Sequence, residues 1–217
     1  RVMAAFKREK TDRPPTSLRC TPEVWTALKE HFGVQTNEDV MDELDIDMRQ
    51  IYLPYIGPKE RSTPPLGGNG ADFWGTEWTE AKNEYNTYYD ISKPALEHAQ
   101  SVEDVLEHDW PSLDWWDYSV VPKLIEAHSK KGERAIMFFA GGSFETPWYI
   151  RGMEQFLMDL YINPDIANAI CTKVTEYYKA RAMRVLEIAD GRIDIIGSGD
   201  VSAGTDYINP AVCYLED

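Results

Sequence analysis

The spacing of apolar positions along this chain changes several times, and each change marks an element. Trp25, Leu28 and Phe32 recur at helical spacing behind Thr21-Pro22-Glu23, and Gly33 stands where such a helix would stop. A second short helix is predicted from Thr36, carrying Val40, Met41 and Leu44. Residues 134–140, RAIMFFA, form an almost unbroken apolar run, the pattern of a strand buried on both faces. Asn163-Pro164-Asp165 opens the longest helix, with Ile166, Ile170, Val174, Tyr177 and Leu186 along it. Residues 16–19, 47–53 and 193–196 complete a set of four predicted strands.

Residues 58–90 have a different texture. A Gly67-Gly68-Asn69-Gly70 turn and two aromatic-rich runs, at 73–78 and 87–89, predict a β-hairpin inserted into the main fold. Ser101 and Asp104 are spaced as a capping box. The loop carrying Trp110, Trp115, Trp116 and Tyr118 reads as a satellite core under a long connection. Strands alternating with helices argue for an α/β fold with a parallel sheet, and 217 residues suit one domain.

In parallel α/β folds, active sites are built just past the C-terminal ends of the strands. Those positions here are Arg19 and Cys20; Tyr52, Tyr55 and Gly57; Gly141 to Tyr149; and Ser198, Asp200 and Ser202. An arginine grips a carboxylate through two parallel hydrogen bonds, which makes Arg19 a candidate. Tyr52, Tyr55, Phe144, Trp148 and Tyr149 offer flat apolar faces, some with a hydroxyl, suited to a planar ligand. Plainer readings stand beside these. Gly141 and Gly142 serve a tight turn equally well, Asp200 serves as a turn cap, and Trp148 and Tyr149 serve as packing. Arg151 reads first as a charge on a helix surface and second as a substrate contact.

Charge narrows the range of partners. Twenty-two Lys and Arg stand against 37 Asp and Glu, a net charge of −15, which repels phosphate backbones and disfavours nucleic acid. No apolar run approaches the ~20 residues of a membrane-spanning helix. Cys20, Cys171 and Cys213 are widely separated and form no CxxC pair, as expected of reduced thiols in a cytoplasmic protein.

Two stretches are more specific in combination than separately: GGSFETPWYIRGMEQFLMDLYINPDIANAI from Gly141, and GRIDIIGSGDVSAGTDYINP from Gly191. Their order and spacing resemble the uroporphyrinogen decarboxylase superfamily, which includes corrinoid-linked methyltransferases. That family has a Gly-rich strand end, then PW/Y-x-x-x-G-x-E-x-F-L-x-D-L, an N-P-[DE] helix start and a G-x-x-D-I-I-x-x-x-D strand. The resemblance implies a (β/α)8 barrel, of which this chain would supply about four βα units, the N-terminal half. It implies a small methylated or tetrapyrrole substrate, with Arg19, Tyr149 and Asp200 as catalytic residues. Tyr52, Tyr55, Gly141, Gly142, Phe144, Trp148, Arg151 and Ser198 would then bind substrate.

Within the family, two branches are distinguishable. The decarboxylases carry a Met-Arg-Gln-Ala-Gly-Arg stretch after the first strand, where this chain has Leu18-Arg19-Cys20-Thr21. They also place an aspartate at the end of the second strand, where this chain has Leu53 and Pro54. Of the family's GDD-type loop, Gly199-Asp200-Val201 keeps one acid. The opening, Ala4-Ala5 followed by Glu9-Lys10 and Asp12-Arg13, resembles the methyltransferase branch more closely. That branch implies a corrinoid carrier protein as partner and a zinc ion held by the second half of the barrel. No cofactor is expected within these 217 residues. Asn209-Pro210 reads as the opening of a further helix, and a chain truly ending at Asp217 is expected to dimerise or to pair with a separate C-terminal half. A binding or assembly module without catalysis, and uroporphyrinogen decarboxylation, are the alternatives to methyl transfer.

Overall fold

A computed structural model describes residues 1–84, 87–129, 134–199 and 212–213. Its main sheet has the order β1 (Met48–Ile51), β5 (Ala135–Gly141), β6 (Ile195–Ser198), β7 (Val212–Cys213). The first three are parallel, running in register from Met48 opposite Ala135 to Ile51 opposite Phe138, and from Met137 opposite Ile195 to Gly141 opposite Ser198. β7 lies antiparallel to β6. A separate antiparallel sheet is formed by β2 (Gly70–Ala71), β3 (Glu77–Lys82) and β4 (Thr87–Lys93).

The helices follow local rules. α1 (Val2–Phe6) is a single short turn, and α2 (Pro22–Phe32) has proline in its first turn and ends on Gly33 in the left-handed region at φ 68°. α3 (Asn37–Glu43) and α4 (Val102–Glu107) both open on capping boxes, Thr36 with Asp39 and Ser101 with Asp104. α5 (Val121–Ser129) precedes β5, and α6 (Glu145–Arg151) and α7 (Met153–Ile162) follow it. α8 (Pro164–Ala189), 26 residues long, lies against β5. Its Ile170, Val174 and Val185 are fully buried together with Ile136 and Phe138 of β5. Each such side chain contributes roughly 1.5–3 kcal/mol relative to remaining in water.

Two expectations are corrected here. Residues 16–19 form no strand. One backbone bond joins Thr16 to Asp47, the Asp47 N–H donating to the Thr16 carbonyl at 3.1 Å, while the Thr16 N–H donates to the Asp47 carboxylate at 2.9 Å, and no ladder follows. Pro14 and Pro15 have no N–H to donate on the approach, so a rung cannot form there. β5 is also covered unequally. Ile136, Phe138 and Ala140 are buried against the helices, whereas Met137 and Phe139 on the opposite face are half-buried.

Charge enters the interior where it is paired. Arg49 in β1 is 1% exposed and donates to Glu38 at 2.6 Å, to Asp42 at 2.9 Å and to the Ile46 carbonyl at 2.7 Å, fastening α3 to the sheet. Asp47, at the start of β1, is buried and gripped by Arg1 and Arg13.

Candidate functional site

The C-terminal end of β5 is built around a residue that has to be glycine. Gly141 has φ +143°, and a Cβ there would overlap the ring of Tyr178 in α8. Its carbonyl accepts from the Ser198 hydroxyl at 3.0 Å and from the Gly199 N–H at 3.4 Å, closing the ends of β5 and β6 together. A register shift between Phe139 and Gly141 turns the strand end as it leaves the sheet. Tyr178 is held in turn by Thr146, hydroxyl to hydroxyl at 2.9 Å. Burial pushes its phenol up to about 12, so it stays protonated.

Gly142 is buried beside Gly141, and α6 begins three residues later. On α6, the Tyr149 hydroxyl donates to the Glu145 carboxylate at 2.5 Å, a short charge-assisted bond. Trp148 and Tyr149 meet edge-on with ring centres 4.2 Å apart, and Phe144 meets Phe156 of α7 at 5.5 Å. The structure thus joins Gly141 and Ser198 at the ends of β5 and β6, with Gly142 beside them, and sets Phe144, Trp148 and Tyr149 on and next to α6, the helix that follows.

The remaining candidates sit elsewhere. Tyr52, just past β1, is 67% exposed; crowding raises its hydroxyl above the ordinary value, and the nearby Arg19 charge opposes this. Arg19 is itself exposed, on irregular chain. The predicted strand over 16–19 would set Arg19 at the end of a sheet strand, and that strand does not form. Tyr55 belongs to the aromatic cluster, meeting Trp116 at 5.3 Å and Trp115 at 6.3 Å. There Trp116 donates to the Tyr177 hydroxyl at 2.7 Å, and the Arg181 guanidinium lies 4.0 Å over the Trp116 ring. Arg151 is not a surface charge: it is 3% exposed, pairs with the fully buried Asp159 at 2.7 Å and donates to the Leu96 carbonyl. Asp200 and Ser202 lie outside the described residues.

Glu145 and Thr146 fall inside the Gly141–Tyr149 stretch without a role having been read for either, and Tyr178 lies outside it. Glu145 and Tyr149 are four apart on a helix, a spacing that places them on one face, so that pair was within reach. No sequence signal relates Thr146 to Tyr178. Among the described residues no group of three or more His, Cys, Asp and Glu is arranged to hold a metal ion, and no helix is long and apolar enough to cross a membrane.

No protein-family model matches the chain, and no curated protein does. Solved structures do. One is a methyltransferase from Methanosarcina mazei, similar over 90% of this chain with a TM-score of 0.52 and 15% sequence identity. The chain spans 56% of that protein's length. At this identity the likeness defines a fold alone, an α/β architecture with a parallel sheet.

Proposed function

We propose that this chain is the N-terminal portion of a (β/α)8 barrel of the uroporphyrinogen decarboxylase superfamily, and that the complete enzyme moves a methyl group to or from a corrinoid-linked carrier. The reading is carried by the joined ends of β5 and β6 at Gly141 and Ser198 and by the Glu145–Tyr149 pair on α6 just after them, the part of the chain where parallel α/β enzymes build their sites. The fold shared with a solved methyltransferase supports it. So does the lack of a carboxylate at the end of β1, where Leu53 is buried and Pro54 follows, which disfavours the decarboxylase alternative.

In this reading the carrier supplies the atom that gives or takes the methyl group. Trp148 and Tyr149 flank the methylated substrate and keep water from it. Glu145 takes the proton of the Tyr149 hydroxyl as that oxygen takes one from the methyl acceptor, a relay through a positioned acid–base pair that readies the acceptor for the methyl group. Arg19, exposed and close to Tyr52, is assigned to a substrate carboxylate, and Asp200 to a further substrate group. Gly141, Gly142 and Ser198 shape the floor. The described residues do not form a zinc site, so no step is assigned to zinc.

The experiment is a spectral titration of the full-length protein with cob(I)alamin and a panel of methyl donors. Conversion to methylcobalamin, or its reverse with a thiol acceptor, is expected. If the corrinoid is neither methylated nor demethylated, the proposal fails.

A further inference from the structure

The small antiparallel sheet enters the core through one side chain of β3. Of the residues of that strand, only Trp78 is buried, at 3% exposure. Its indole is held by Asp72, which is 1% exposed. One carboxylate oxygen accepts the N–H groups of Trp74 at 2.8 Å and Thr76 at 3.0 Å, and the other accepts the Trp78 indole N–H at 2.8 Å. The ring so fixed lies edge-on to Tyr149, centres 5.2 Å apart and planes at 77°. The fully buried Thr76 also donates its hydroxyl to the Tyr149 carbonyl at 3.4 Å. Tyr149 is therefore held at three points: the hydroxyl by Glu145, the ring by Trp78 and the backbone by Thr76.

Burying a carboxylate whose partners are N–H groups of a turn and an indole is a costly way to stabilise a loop, since apolar packing would serve stability at least as well. What the carboxylate adds is direction: it permits one orientation of the indole. Resting on the functional reading above, we infer that Asp72 and Trp78 are positioning residues for Tyr149, which makes the small sheet a supporting wall of the site.

Trp78→Phe keeps an aromatic ring and removes the directing hydrogen bond. Two measurements on the intact protein decide the matter. First, with 3-fluorotyrosine placed at position 149, its fluorine resonance is expected to be single and sharp in the parent and to shift and broaden in W78F. Second, W78F is expected to lower kcat for methyl transfer about tenfold or more with KM little changed, since a small misplacement of a reacting group costs rate more than binding. The double variant W78F/Y149F is expected to be no slower than Y149F. An unchanged fluorine signal, or W78F and Y149F effects that multiply independently, overturns the inference. Should Y149F leave methyl transfer untouched, the functional reading falls, while the fluorine signal still decides whether Trp78 positions Tyr149.

Discussion

Gly141 and Tyr178 compete for one volume: the ring of Tyr178 occupies the space that a Cβ on residue 141 would need. The backbone at 141, at φ +143°, is also closed to ordinary side chains. Strand end and helix therefore approach each other only because one residue has no side chain. Gly141→Ala is expected to destabilise the protein by about 2–5 kcal/mol, combining overpacking with backbone strain. Urea denaturation measures this, and a variant within experimental error of the parent would refute the packing argument.

Tyr149→Phe removes the hydroxyl bonded to Glu145 and leaves a half-buried ring in place. The thermal midpoint is expected to move little. Methyl transfer is expected to fall by about a hundredfold, within the range for a positioned acid–base group. Glu145→Gln should behave alike, and steady-state kinetics of the two side by side would expose a variant that loses stability instead of rate.

Arg151 and Asp159 form an ion pair with both side chains out of water. Removing one partner strands the other. Arg151→Met is expected to cost about 3–5 kcal/mol, with a substantial part regained in Arg151→Met/Asp159→Leu. A fully stable R151M with impaired substrate binding would instead assign the guanidinium to the substrate.

Asp72 yields a prediction of sign. Burial, outweighing the N–H donors around it, pushes its carboxyl from 3.8 up to about 6. The folded state thus takes up a proton at a higher pH than the unfolded chain does. Between about pH 6 and 4 the folded form binds more protons, so this group's contribution to stability rises as pH falls. Asp47 runs the other way: its salt bridges and hydrogen bonds hold its carboxyl below the ordinary value, giving stability that is lost on acidification. The difference in unfolding free energy between the parent and Asp72→Asn isolates the Asp72 part. It should move in the parent's favour by about 1–3 kcal/mol from pH 7 to pH 4. A pH-independent difference would contradict the buried, raised carboxyl.

What the sequence determined by itself is what short-range rules govern. The helix start at Thr36, the capping box at Ser101, the stop at Gly33, the proline-led start of α8 and the apolar run of β5 each depend on neighbours within a few residues, and all were legible. The gathering of glycines and aromatics past β5 was legible for the same reason. What tertiary structure decided concerns partners distant in the chain. Residues 16–19 had a strand's composition but found one backbone rung, because pairing is a property of two segments. Arg151 looked like a surface charge until Asp159 and the Leu96 carbonyl enclosed it. Neither the overlap of Tyr178 with residue 141 nor the reach of Trp78 to Tyr149 leaves any local periodicity. Hydrophobic patterning states that a side chain will be buried; only the packed molecule determines against what, because contact energies of similar size are available from many partners and geometry selects among them.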